Sequence, residues 1–169
     1  MNYEGEFKGK RVVVTGAAGI YGGWIAEAFA REGAVLCLSD LRGDKLAGVV
    51  QKLGLDPAAT LTHATNLESV ESIHALAALV EREWGAPDIV VNNAGVYPRT
   101  GVLINLDPAE YDRIMNVNVR APFLVVQAMS RLMIKAGVQG SVVNIGSGAA
   151  RQMPTGSVTY CMSKTALER

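Results

Sequence analysis

Five short, β-branched apolar runs alternate with longer stretches of helical spacing, and this alternation restricts the fold more than any other feature. The runs are RVVVTG (11–16), AVLCLSD (34–40), TLTHAT (60–65), DIVVNNAG (88–95) and GSVVNIGS (140–147). They read as continuous apolar segments rather than in–out alternation, as strands do in a parallel sheet covered on both faces. Helical patterns fall at 20–32, 42–53, 67–84 and 108–136. Gly33 and Gly54 follow two of them, where a left-handed residue ends a helix. Asp107, Pro108 and Glu110 form a start signal for the last, as cap, first-turn proline and capping-box partner. The repetition predicts βαβ units with right-handed crossovers in one doubly wound α/β domain, three layers deep, spanning 1–169.

Charge supports a covered sheet. Only 19 % of the 169 residues are charged, against roughly 25 % in a typical soluble domain. That shortage fits helices on both faces, a buried subunit contact, or both. Sixteen basic and sixteen acidic residues cancel, so no global field favours nucleic acid or an anionic membrane. No apolar run approaches the roughly 18 residues of a membrane-spanning helix. The start, MNYEGEFKGK, lacks the apolar region of a signal peptide. Cys37 and Cys161 are too few for a disulfide framework or a metal site. A reducing, cytoplasmic setting is the expectation.

The turn VVVTGAAGIYGGW places Gly16, Gly19 and Gly22 between the first strand and its helix. A pyrophosphate approaches backbone closely only where no Cβ intervenes, and the N–H groups opening the next helix hold its charge. A tight strand–helix turn alone uses the same residues. Asp40 closes the second strand, where a carboxylate accepts hydrogen bonds from the adenosine ribose hydroxyls. Its charge repels a 2′-phosphate, which favours NAD(H) over NADP(H). Arg42 is a counter-signal, since arginine accepts that phosphate, and Asp40 could also serve merely as a turn or cap residue.

Tyr160 and Lys164 stand four residues apart, on one helix face. A free tyrosine has a pKa of about 10. A cation about 4 Å away, at an effective dielectric of about 20, favours the phenolate by about 4 kcal/mol, whereas burial opposes it. If the cation wins, Tyr160 is suited to taking a proton from an alcohol. Alone, such a pair is usually helix surface. Pro122, however, supplies no N–H to the carbonyl of Asn118, which frees that oxygen for a water or simply kinks the helix.

The glycine turn, NNAG at 92–95, Asn118 in VNV, Ser147 in NIGSGAA and Tyr160-x-x-x-Lys164 occur in that order. The whole pattern resembles the short, non-extended branch of the short-chain dehydrogenase/reductase family, with its Rossmann-like fold. The resemblance implies that Ser147 holds the substrate oxygen, that Tyr160 is the general acid/base and that Lys164 tunes Tyr160 and binds the nicotinamide ribose. Asn118 would anchor a proton-relay water. NAD would lie on Gly16, Gly19, Ile20, Tyr21, Gly22, Asp40, Leu41, Asn66, Asn93, Ala94 and Gly95, with Tyr160 and Lys164. Tyr97, Arg99, Gly148, Arg151, Gln152 and Met153 would border the pocket for a secondary alcohol or ketone. The long, apolar 108–136 helix would pack against a second copy, implying a homodimer or homotetramer.

Three departures accompany the resemblance. Ile20 stands where the short branch has a glycine, giving the G-x-x-G-x-x-G spacing of extended, epimerase-like members. His63 occupies a place where the family often has an aspartate beside adenine; neither it nor His74 is assigned a role. Family members also continue beyond the Tyr–Lys helix with at least one strand and a substrate lid. The expectation is part of a normal-length enzyme; the alternatives are a fragment completed by another subunit, an inactive nucleotide-binding or interaction domain and, on the glycine spacing alone, an NAD-dependent epimerase-like enzyme.

Overall fold

The computed structural model describes residues 5–97, 103–152 and 156–168. Five parallel strands form one sheet in the order β3-β2-β1-β4-β5. They are β1 (Arg11–Thr15), β2 (Val35–Asp40), β3 (Leu61–Ala64), β4 (Ile89–Asn92) and β5 (Ser141–Asn144). Helices α1 (Ile20–Arg31), α2 (Gly43–Lys52) and α3 (Val70–Trp84) follow the first three strands. A helical rod then runs from α4 (Pro108–Met115) through a π-turn (Asn116–Arg120) into α5 (Ala121–Ala136), and α6 (Val158–Leu167) follows β5. Strands are laid outward from β1 to β3, and the chain then returns to place β4 on the other side of β1. That reversal opens a crevice at the carboxyl ends of β1 and β4, where open α/β sheets bind ligands.

Along the central strands, successive apolar residues alternate between two cores. Val13, Cys37 and Val90 pack with Ile73, Leu76 and Val80 of α3 and Val125, Met129 and Leu132 of α5. Val12, Val14, Leu36, Leu38 and Val91 pack with Ala26, Leu46 and Val50 on the opposite face. Both faces of the central strands are therefore buried, which is why their sequences are continuously apolar. The outer strands differ from expectation. Thr62 and Ala64 of β3 are exposed, and so are all four residues of β5, Val142 and Val143 included. At the opposite end of the sheet, Arg11 ties β1 to the start of β4. Its Nε and backbone N–H both donate to Asp88 Oδ2, at 2.7 and 2.9 Å, and its Nη1 donates to the Trp84 carbonyl at 2.6 Å.

Three boundaries differ from the sequence reading for local reasons. The third helix starts at Val70 rather than near 67, because Ser69 accepts from the Ser72 N–H as its cap and Asn66 Oδ1 accepts from the Glu68 N–H in a turn. The fourth strand stops at Asn92, because the Asn93 N–H donates to Thr15 Oγ1 and its side chain to the Thr15 carbonyl. The single helix expected over 108–136 contains the π-turn, closed by an Ala121 N–H to Asn116 carbonyl bond. The missing N–H of Pro122 removes the α-helical donor at that point, and the wider turn accommodates its loss. Asp107 caps the rod as expected, accepting from the Ala109 N–H, and Gly33 and Gly54 have φ of +79° and +62°.

Candidate active site

The β1–α1 turn is tight, and two of its glycines are obligatory. A Cβ on Gly22 would lie 2.1 Å from the Gly16 carbonyl oxygen, and one on Gly16 would lie 2.8 Å from the Ala94 Cα. Gly16 also has φ of +67°. Gly19 takes the N-cap position of α1 with no side-chain cap, and the first turn of α1 contains no acidic residue. Gly23 is the first residue whose N–H finds a carbonyl in the helix, that of Gly19 at 2.9 Å. The amides of Ile20, Tyr21 and Gly22 precede it, as uncapped donors with the positive end of the helix dipole behind them. Ile20 fits because it is the first residue of α1, with its side chain largely exposed. An anion is what such a terminus accepts, so the residues present suit a dinucleotide pyrophosphate.

A cleft of about 380 Å³ runs from this turn across the sheet edge. It is lined by Gly16, Gly19, Ile20, Tyr21, Gly22, Asp40, Leu41, Asn66, Asn93, Ala94 and Gly95, all expected there from the sequence. Asp40 is 7 % exposed. Its Oδ2 accepts from the Ala18 N–H at 2.9 Å, and its Oδ1 from the Arg42 N–H and Nε at 3.0 and 3.3 Å. Arg42 in turn donates to the Ala18 carbonyl at 3.1 Å, so the pair staples the glycine turn to the end of β2. Three donors leave the carboxylate one lone-pair site for a ligand hydroxyl. His63 is not on the cleft wall; its Nδ1 lies 2.8 Å from Thr65 Oγ1, which also accepts from Ser39. Burial holds the His63 pKa below its ordinary value.

Helix α6 brings Tyr160 and Lys164 to the other side of the crevice. Lys164 is 4 % exposed. Its Nζ donates to the Ile145 carbonyl at 2.8 Å and lies 5.9 Å from the Tyr160 ring centroid, within cation–π reach. Burial pushes the Lys164 pKa down. A Cβ on Gly95 would stand 3.7 Å from this Nζ, so the lysine backs the wall of the nucleotide cleft. Ser147 caps a short 3₁₀ turn, accepting from the Ala149 N–H at 3.2 Å. Asn118 is 1 % exposed, and its side chain is fully committed. Its Oδ1 accepts from the Val96 N–H at 2.8 Å, and its Nδ2 donates to the Val96 carbonyl and to Ser163 Oγ at 2.9 and 3.0 Å. Any contact with a relay water therefore falls to its main chain.

The family model described as short chain dehydrogenase matches residues 10–169. The chain belongs to the short-chain dehydrogenase family. It is 34 % identical over 164 residues to the D-threitol dehydrogenase of Mycolicibacterium smegmatis, covering 97 % of this chain and 62 % of that protein. Among solved structures, a metagenomic short-chain oxidoreductase in complex with NADP superimposes with a TM-score of 0.87 at 34 % identity, over 96 % of this chain and 73 % of the other. An NAD⁺-bound xylitol dehydrogenase superimposes with a TM-score of 0.86 at 29 % identity, over 96 % and 62 %. The chain thus spans less than two thirds of the length of the threitol and xylitol enzymes.

Several cleft residues of this family member were not anticipated from its sequence. Ser39, Thr65, Leu67, Glu68, Val96, Arg113 and Val117 also line it. Arg113 could have been found from its i,i+3 spacing to Glu110, whose oxygens its Nε and Nη2 both reach at 2.7 Å. Of the expected substrate-pocket residues, Tyr97 packs on Tyr160, with ring centroids 4.9 Å apart. Gly148 opens the 3₁₀ turn, and the Gln152 carbonyl accepts from the Cys161 thiol at 3.5 Å. Arg151 is exposed, 3.7 Å from Glu168. Arg99 and Met153 lie outside the described residues. Among those described, no cluster of metal-ligating side chains occurs, and no helix is long and apolar enough to cross a membrane.

Proposed function

We propose that this chain carries the cofactor cleft and catalytic groups of an NAD(H)-dependent oxidoreductase that interconverts a secondary alcohol of the polyol class and its ketone. The observation that carries the reading is the position of Lys164. It is buried behind Gly95 of the nucleotide cleft and over the ring of Tyr160, so one cation serves both the cofactor wall and the proton-transferring residue. The dinucleotide supplies hydride acceptance and donation when bound. The α1 amides hold its pyrophosphate, and Asp40 receives its adenosine ribose hydroxyl. Asn93, Ala94 and Gly95 border its nicotinamide half. Ser147 orients the substrate oxygen, and Tyr160 takes the hydroxyl proton in oxidation and returns it in reduction. The threitol and xylitol dehydrogenases support the polyol class.

Asp40 supports NAD over NADP, because Arg42 is already tied to Asp40 and Ala18. The exposed Phe123 and Ile134 of α5 support contact with a second copy, read out as a dimer or tetramer mass in solution. Two buried free cysteines suit a reducing, cytoplasmic setting. The test is turnover of a panel of C4–C6 polyols with NAD⁺, followed by NADH absorbance. Tyr160→Phe is expected to lose about 10²–10⁴-fold in rate with NADH binding retained, and Asp40→Ala to narrow the NAD/NADP preference. Near-normal turnover by Tyr160→Phe refutes the mechanism. NADH binding without turnover in the wild-type chain identifies a nucleotide-binding unit instead.

A further inference from the structure

We infer that Tyr97 is a positioning residue for Tyr160, holding the catalytic ring in place by packing against it. The inference rests on the acid/base reading of Tyr160 given above. Tyr97 is 57 % exposed, yet it is held along its whole length. The residue before it, Val96, has both backbone groups bonded to the Asn118 side chain. Its own carbonyl accepts from Arg113 Nη2 at 3.3 Å, and that guanidinium is fixed by Glu110. Its ring packs on Tyr160 at 4.9 Å and 58°. Its hydroxyl is hydrogen-bonded with Ser157 Oγ. Ordering an exposed aromatic side chain costs entropy, so an arrangement this constrained needs contacts that offset it.

Ser157 gives an independent indication. It stands at the N-cap of α6, a position where serine ordinarily bonds a first-turn amide, yet it makes no such bond. Its hydroxyl is directed to Tyr97 instead, while its carbonyl accepts from the Cys161 N–H at 2.8 Å and starts the helix. Tyr97 therefore bridges the segment after β4, one wall of the cofactor cleft, to the first turn of the helix carrying Tyr160. Among the described residues no hydrogen bond holds the Tyr160 hydroxyl, so ring contacts position it, among them the Lys164 ammonium at 5.9 Å and the Tyr97 ring at 4.9 Å from its centroid. Removing Tyr97 frees the ring to rotate out of register with the cofactor.

The experiment combines kinetics with a probe that needs no turnover. In Tyr97→Phe, Ser157→Ala and the double variant, kcat is expected to fall about fivefold in each case, because all three remove the same bond. Alcohol KM and NADH affinity stay within about twofold of wild type. Tyr97→Leu falls further, about thirtyfold, and Tyr97→Phe recovers most of that loss by restoring the ring. With 3-fluorotyrosine incorporated, the ¹⁹F signal that disappears in Tyr160→Phe is expected to shift in Tyr97→Leu and to move little in Tyr97→Phe. An unmoved signal in Tyr97→Leu overturns the inference, as do additive losses in the double variant or a loss confined to KM. If Tyr160→Phe is inactive while Tyr97→Leu is normal, only this inference fails; an active Tyr160→Phe removes the underlying reading.

Discussion

Replacing Gly22 by alanine measures how much the dinucleotide turn depends on the absence of one methyl group. The added Cβ would lie 2.1 Å from the Gly16 carbonyl oxygen and 2.8 Å from both the Gly16 carbonyl carbon and Asn93 Nδ2. Real Cβ contacts essentially never fall below 3.0 Å, so the turn must open by about 1 Å. Neither neighbour yields freely. The Gly16 carbonyl accepts from the Gly19 N–H at 3.1 Å and from Asn93 Nδ2 at 3.2 Å, and that amide also bonds the Thr15 carbonyl. Overpacking costs about 1–3 kcal/mol, and losing the Asn93 bond adds about 1 kcal/mol. Alanine returns up to about 1 kcal/mol through helix propensity. The net destabilisation is about 1–3 kcal/mol, or about 3–10 °C in Tm for a domain of this size. Gly23→Ala is the control, since its Cβ meets nothing nearer than 3.9 Å. Thermal unfolding and NADH fluorescence titration should show Gly22→Ala less stable and about tenfold or more weaker in binding, with Gly23→Ala close to wild type. Equal stability and equal affinity of the two variants would refute the steric argument.

Lys164→Met should abolish most turnover while leaving stability within about 1 kcal/mol of wild type, because removing a buried ammonium offsets the lost bond to Ile145. Burial lowers the folded pKa of Lys164, so the unfolded chain holds the proton more tightly and wild-type stability rises with pH from that lowered value towards the ordinary 10.5. Denaturant titrations across alkaline pH should show this rise flattened in the variant. Asp88 behaves oppositely in sign: its hydrogen bond from Arg11 holds its pKa below 3.8, so its contribution is present above that value and is lost as pH falls through the lowered one. Asp88→Asn should therefore cost about 1–2 kcal/mol at neutral pH, with the difference closing in acid. Asn118→Leu strands both backbone groups of Val96 and should cost about 2–4 kcal/mol by chemical denaturation, with weaker NADH binding.

Much of this structure was legible because burial on two faces leaves a visible mark in sequence. RVVVT and VLCLSD have neighbours on both sides, and their apolar runs report it. SVVN carries the same signature at the edge of the sheet, where it is exposed, since strand order is set by crossovers that no local pattern records. Pro122 signalled an interruption in the long helix but not its form, which depends on where the ladder can widen. Asn118 was read through its carbonyl, whereas its amide is committed to Val96 and Ser163, residues 22 positions before and 45 after it. The partnership of Tyr97 with Ser157 spans 60 positions and leaves no periodic trace. Gly16 and Gly22 were found by spacing; that they are obligatory and Gly19 only a cap emerges once Asn93 and Ala94 are folded against them.

The half-paired outer strand has a practical consequence for anyone handling these 169 residues. Among the described residues β5 is bonded to β4 alone, and two adjacent valines, Val142 and Val143, are exposed on it. Its outward row of amides and carbonyls is a template for any extended peptide that drifts against it, and none of its own four residues, SVVN, carries a charge to repel one. Concentrated solutions should therefore thicken into β-rich assemblies, and a lysine in place of Val143 should keep them clear without touching the nucleotide crevice.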